Sequence, residues 1–139
     1  MKDALTNFKW LVGDRIESVQ LETESGAWRI GLQSRATIRI ECLWRLFEDR
    51  DICSTSLDHG HRFGQSKEFD GIAALKEMGQ YPITSVKVRP KAGDLFIKLG
   101  TMFELEVISI SAGYKPWQIT HPTLGSVVVS EGELHKFSA

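Results

Sequence analysis

Apolar side chains recur at every second position through two stretches of this chain. Trp28, Ile30 and Leu32 alternate with Arg29 and Gly31, while Ile38, Ile40, Cys42, Trp44 and Leu46 alternate with Arg39, Glu41, Leu43 and Arg45. A period of two sends successive side chains to opposite faces, so both stretches predict strands with one covered face. The segment before Trp28 breaks phase, its apolar positions being Ile16, Val19 and Leu21. Ile83, Val86 and Val88 break it identically further along. A slip shared by two segments predicts a β-bulge in each.

The shared slip belongs to a longer internal match. At an offset of 67, IESVQLETESGAWRIGL (Ile16 to Leu32) falls on ITSVKVRPKAGDLFIKL (Ile83 to Leu99). About a third of the window is identical, against roughly one position in twenty by chance, which predicts a repeat. Backwards, the same offset pairs Asp3 with Asp70, Leu5 with Ile72, Phe8 with Leu75 and Leu11 with Met78. Each aspartate stands where a helix N-cap belongs, ahead of apolar residues at helical spacing, so a short helix is expected to lead each unit. Gly79 supplies a stop for the second. The first stays open between helix and extended chain, because Phe8, Trp10 and Val12 alternate. Beyond a gap, Trp44 matches Trp117 and SLDHGHRF (Ser56 to Phe63) falls on SEGELHKF (Ser130 to Phe137).

Each unit thus reads as a helix followed by about four antiparallel strands. A segment of roughly 65 to 70 residues buries only about 60% of its extended surface and is marginal alone. The repeats, approximately 1–67 and 68–139, are therefore expected to share one core in a single domain, 1–139. The predicted class is β-rich α+β: two pseudo-symmetric helix-plus-antiparallel-sheet repeats whose sheets cover each other.

Composition restricts the function classes. With 139 residues, 42% hydrophobic and 25% charged, the chain has the balance of a globular protein. No run approaches the roughly 18 apolar residues of a membrane helix, and MKDALTNFKW carries charges where a secretory signal has its apolar core. The expectation is a cytoplasmic protein with no membrane partner. A net charge of −1 gives no global field to gather nucleic acid. If the segments flanking Glu48 to Asp51 pair as a hairpin, opposite numbers sum to about 98, and Cys42 and Cys53 fall about three short of that register. Both are read as reduced thiols, Cys42 as a small core hydrophobe.

Chemistry concentrates in SLDHGHRFG, Ser56 to Gly64. Asp58 with His59 could act as an acid–base pair, and His59 with His61 could begin a metal site. Against this, neighbouring residues on a strand point to opposite faces, and His121, His135 and the cysteines lack metal-ligand spacing. His61 and Phe63 recur as His135 and Phe137, which marks them as framework. The plainer reading makes Asp58 and Gly60 a turn with His59 solvated. No cofactor is implied: the P-loop, dinucleotide, nucleophile-elbow and cysteine-cluster motifs are missing.

Two further features bear on binding. The second unit carries an insertion, SAGYKP (Ser111 to Pro116), just before Trp117. Tyr114 and Trp117 there are residue types that give large contact area at low entropic cost, although a bulged strand edge with Tyr114 folded over the core is the plainer explanation. Seven of the eight arginines lie in the first unit. Arg29, Arg39 and Arg45 fall on the outward phase, where they form either an anion-binding stripe or, with Glu41, a mixed solvated surface.

The strings ECLWRL, SLDHGHRFG, GDLFIKLG and SAGYKPWQI resemble a group of small uncharacterised bacterial proteins. These carry a W-R strand, a D-H-G-x-x-F-G turn, a G-D-L strand and an S-x-G-Y-E-x-W segment in that order, and some act as immunity proteins beside toxin genes. Lys115 departs from the pattern, standing where glutamate is expected. The resemblance implies an intracellular β-rich protein with a protein partner such as a toxin, and implies no reaction.

Taken together, these features predict a small protein-binding module with a surface drawn from Arg45, Asp58, His59, Arg62, Tyr114 and Trp117. A small-ligand or metal-binding protein, or an enzyme, with its site at Asp58, His59 and His61 is the alternative. A weaker one is a binder of single-stranded nucleic acid, by analogy with other two-sheet folds.

Overall fold

The computed structural model describes residues 6–60, 69–109, 116–130 and 133–138. Its elements in chain order are a 3-10 turn at Lys9–Leu11, strands β1 (Ile16–Leu21), β2 (Trp28–Leu32), β3 (Thr37–Ile40), β4 (Leu43–Glu48) and β5 (Asp51–Thr55), and a 3-10 turn at Ser56–Asp58. Helix α1 (Gly71–Glu77) follows with a 3-10 turn at Met78–Gln80, then β6 (Ile83–Val88), β7 (Leu95–Leu99), β8 (Phe103–Ile108), β9 (Trp117–His121), β10 (Gly125–Ser130) and β11 (Glu133–Ser138).

The strands form two antiparallel sheets. One runs β1-β2-β3-β9-β10-β11, the other β5-β4-β8-β7-β6. Neither is built from one continuous stretch of chain. The predicted alternation from Ile38 to Leu46 is present, with every second side chain buried, but the chain leaves the first sheet after Ile40 and enters the second at Leu43. The alternating phase survives the passage because both sheets turn their apolar faces to the same interior. Such corners, where a strand switches sheets, are a known solution for closing two packed sheets.

Registers recur along the chain. Val19 pairs with Ile30, and Val86 with Ile97; Trp28 pairs with Ile40, and Leu95 with Val107. The ladders slip between Ile16 and Ser18 and again between Ile83 and Ser85, where the bulges were expected. Where the sheets join their distant strands, Ile40 faces Trp117 and Trp44 faces Val107.

The helical content is smaller than expected. The segment ahead of β1, as far as it is described, holds only the three-residue turn, with Phe8 at a left-handed φ of 58°. Phe8 and Leu11 are both buried, and half-buried Trp10 packs edge-on to His121 at 4.6 Å. Satisfying these three contacts prevails over the weak helical spacing; Asp3 and Leu5 lie outside the described residues. Ahead of β6, α1 forms as anticipated, with the Asp70 carboxylate accepting the Ala73 N–H at 3.1 Å.

A single buried cluster runs through both sheets, α1 and the first 3-10 turn, with Trp44 and Trp117 among its largest fully enclosed side chains. Among the described residues no helix is long and apolar enough to cross a membrane.

Candidate functional site

The corner after β5 is held by its own polar groups. The Asp58 carboxylate accepts hydrogen bonds from the Thr55 N–H (3.1 Å) and hydroxyl (3.0 Å), making a capping box with Thr55. Ser56 Oγ accepts the Trp44 N–H at 3.1 Å and ties the corner to β4. The turn reading expected a solvated His59, and the structure corrects it. The residue is half-buried, its Nδ1 accepts the Gly71 N–H at 3.0 Å, and its ring meets Trp28 edge-on at 5.1 Å. An acceptor at Nδ1 requires that nitrogen to be unprotonated. Gly60, at φ 79°, donates to the Phe69 carbonyl at 2.7 Å. Asp58 is therefore committed to shaping the corner after β5, and His59 to joining that corner to α1. His61, Arg62, Tyr114 and Lys115 lie outside the described residues. Among the described residues no three histidine, cysteine, aspartate or glutamate side chains converge as a metal site would require.

Trp117 requires correction as a contact residue. It is 1% exposed, its Nε1 donates to the Gly93 carbonyl at 2.7 Å, and its ring meets Phe8 at 6.3 Å. Its position beside an insertion reflects a core anchor that restarts the alternation, and it offers no area to a partner.

The arginine stripe is also divided. Arg29 and Arg39 stand opposite each other on the outer face of the six-stranded sheet, whereas Arg45 belongs to the other sheet. Arg39 is neutralised by Glu22 at 2.9 Å and Glu41 at 2.8 Å. Its hydrogen bond holds the Glu22 carboxyl below the usual range. This is the mixed surface weighed above.

Arg45 has different neighbours. In register across the outer face of the five-stranded sheet stand Thr55, Arg45, Glu106, Phe96 and Lys87, and beside them Ile52, Phe47, Glu104, Lys98 and Ser85. Arg45 binds Glu106 at 2.7 Å, and its guanidinium lies over the Phe47 ring at 5.3 Å. Arg89 lies over Phe96 at 5.5 Å. Both phenylalanines are half-buried, and Ile52 is 52% exposed. The Nε of Arg45 is buried without a hydrogen-bond partner among the described residues. Two aromatic rings on the outward phase of interior strands, each under a guanidinium, form a firm amphipathic platform. Sequence reasoning singled out Arg45 and missed Phe47, Phe96 and Glu106. The available signal was an aromatic residue on the polar phase of two otherwise regular strands.

A smaller cleft of about 210 Å³ opens between α1 and this sheet, lined in part by Cys53, Glu77 and Tyr81. The exposed Cys53 thiol donates to the Leu46 carbonyl at 3.2 Å, while Cys42 is buried, and neither is in a disulfide. Burial, reinforced by the Asp94 and Glu41 carboxylates, pushes the Cys42 thiol up to about 12. Thiolate is the reactive form. Titration with a thiol reagent at mildly alkaline pH is expected to label Cys53 promptly and Cys42 only after unfolding. Equal rates for the two would contradict the enclosure of Cys42.

Neither a protein-family model nor a curated protein nor a solved structure matches this chain.

Proposed function

We propose that this chain is a small protein-binding module whose contact surface is the outer face of the five-stranded sheet, centred on Arg45. The observation that carries this is the pair of half-buried rings, Phe47 and Phe96, under the guanidinium groups of Arg45 and Arg89. Aromatic residues and arginine are the types enriched at the centres of protein interfaces. Here they stand on strands whose geometry is set by ladder bonds, so little ordering is lost on binding. Glu106, with a side chain only 17% exposed, orients Arg45. The partner is a protein, and the sequence resemblance points to a toxin that this chain would neutralise in the cytoplasm, where two reduced thiols persist.

The architecture that presents this face is, in our reading, a pair of pseudo-symmetric repeats that exchange strands. The matched bulges and matched registers across β1–β2–β3 and β6–β7–β8 support it, as does the equivalence of the Ile40–Trp117 and Trp44–Val107 pairings. The outward residues differ between the two units, as expected if one outer face alone has been specialised.

Capture from native cells with the intact protein as bait tests the binding surface. Phe47→Ala and Phe96→Ala are expected to reduce recovery of a stoichiometric protein partner at least tenfold, the scale of a buried hot-spot residue. Arg29→Ala, on the other sheet, is expected to leave recovery unchanged. Unaltered capture by both phenylalanine variants, with melting temperatures near that of the parent, would remove this face from the binding surface.

A further inference from the structure

We infer that the open edge of β6 takes up an extended acidic segment of the protein partner as an added strand. The inference rests on the protein-binding reading and specifies what the partner brings.

Strand β6 is the terminal strand of the five-stranded sheet. Its first residue is closed off: the Ile83 N–H donates to the Asp14 carbonyl at 2.8 Å, and its carbonyl accepts the Gly13 N–H at 2.7 Å. Beyond that point the edge is open among the described residues. The Arg89 N–H donates inward to the Asp94 carbonyl at 2.8 Å. The alternation of an antiparallel ladder therefore turns the main-chain N–H and C=O of Val86 and Val88 away from β7. No main-chain bond among the described residues reaches them from the outer side. Strand β1 provides the internal contrast. It is likewise the edge of its sheet, but α1 packs along it and Val19 is only 8% exposed, whereas Val86 and Val88 are half-buried. Among the described residues, the element that packs beside β6 from outside its sheet is the short turn at Lys9–Leu11.

Charge selects the occupant. Lys87 and Arg89 are exposed along this edge, and Lys98 is exposed on the neighbouring strand. The carboxylate of Asp94 is engaged with the Ser109 N–H at 2.8 Å, and Glu106 serves Arg45. A second copy of β6 laid alongside would bring Lys87 and Arg89 against their own kind, the device by which edge strands resist self-pairing. A strand with carboxylates on its outward phase and apolar residues beside Val86 and Val88 meets both requirements at once. Because Arg89 also lies over Phe96, the edge is continuous with the proposed contact face.

The test uses the intact protein and a fluorescent peptide of alternating glutamate and valine, with an alternating lysine and valine peptide as control. A third peptide carries glutamate and valine with alternate amides N-methylated, so that its main chain cannot pair. The first peptide is expected to bind more weakly as salt rises, and the other two to bind at least tenfold less tightly. Val88→Pro removes an outward donor, a position where proline suits an edge strand, and is expected to lose at least tenfold in affinity. The double variant K87E/R89E is expected to lose the acidic peptide and gain the basic one. Absence of binding by the first peptide, equal binding by the N-methylated one, or unchanged affinity of a folded Val88→Pro would each overturn the inference. If Val88→Pro still captures the native partner while Phe47→Ala does not, strand addition fails and the contact face stands.

Discussion

Truncating Trp44 to alanine should lower stability by about 3–5 kcal/mol, the scale of a fully enclosed aromatic, measured by chemical denaturation. Trp44 is 0% exposed, meets Trp28 edge-on at 5.2 Å, and stands where β4 enters the second sheet. Its removal opens the core at the junction of the two layers. Replacement by phenylalanine separates volume from hydrogen bonding. The Nε1 of Trp44 has no partner among the described residues, whereas that of Trp117 donates to Gly93. Trp44→Phe removes an unpartnered donor, while Trp117→Phe breaks a buried bond and strands a carbonyl. The second should cost about 1 kcal/mol more. Equal losses would mean that the indole nitrogens are satisfied alike.

Gly79→Ala should destabilise by about 1–3 kcal/mol, the range for overfilling a packed site. A Cβ there would stand 2.2 Å from the Ile16 carbonyl oxygen. That neighbour is main chain at the start of β1, so the 3-10 turn after α1 would have to move bodily. Gly79 was anticipated as a helix stop, but α1 ends at Glu77, and the demand at residue 79 is for closeness to β1. Thermal unfolding of the variant checks this. A change within about 0.5 kcal/mol, typical of a surface substitution, would place the turn further from β1.

What the chain declared in advance was its alternation. The bulged starts at Ile16 and Ile83, the inward setting of Cys42 and the α1 cap at Asp70 follow from local spacing, because each depends on residues within a few positions. The partition into sheets does not. A period of two reports which face is covered, and it continues unbroken from Ile38 to Leu46 although the sheet changes at Glu41 and Cys42. For that reason Arg39 and Arg45, on one phase in sequence, stand on different surfaces. Trp117 and His59 escaped for a related reason. Gly93 and Gly71, the groups that decide their roles, are distant in sequence, and nothing local distinguishes a tryptophan that finds a carbonyl from one that faces a partner.

The cross-connection of the sheets also governs how the chain can mature. Ile38 must find Ile119 and Leu46 must find Leu105, so a nascent chain that has emerged only as far as Thr55 carries five strands of which β3 and β4 still lack a neighbour. Closure awaits late synthesis, and long-range pairing of this kind is slow. The same interlock makes the finished protein a clasp: either portion, severed and kept, should hold the other until both let go together.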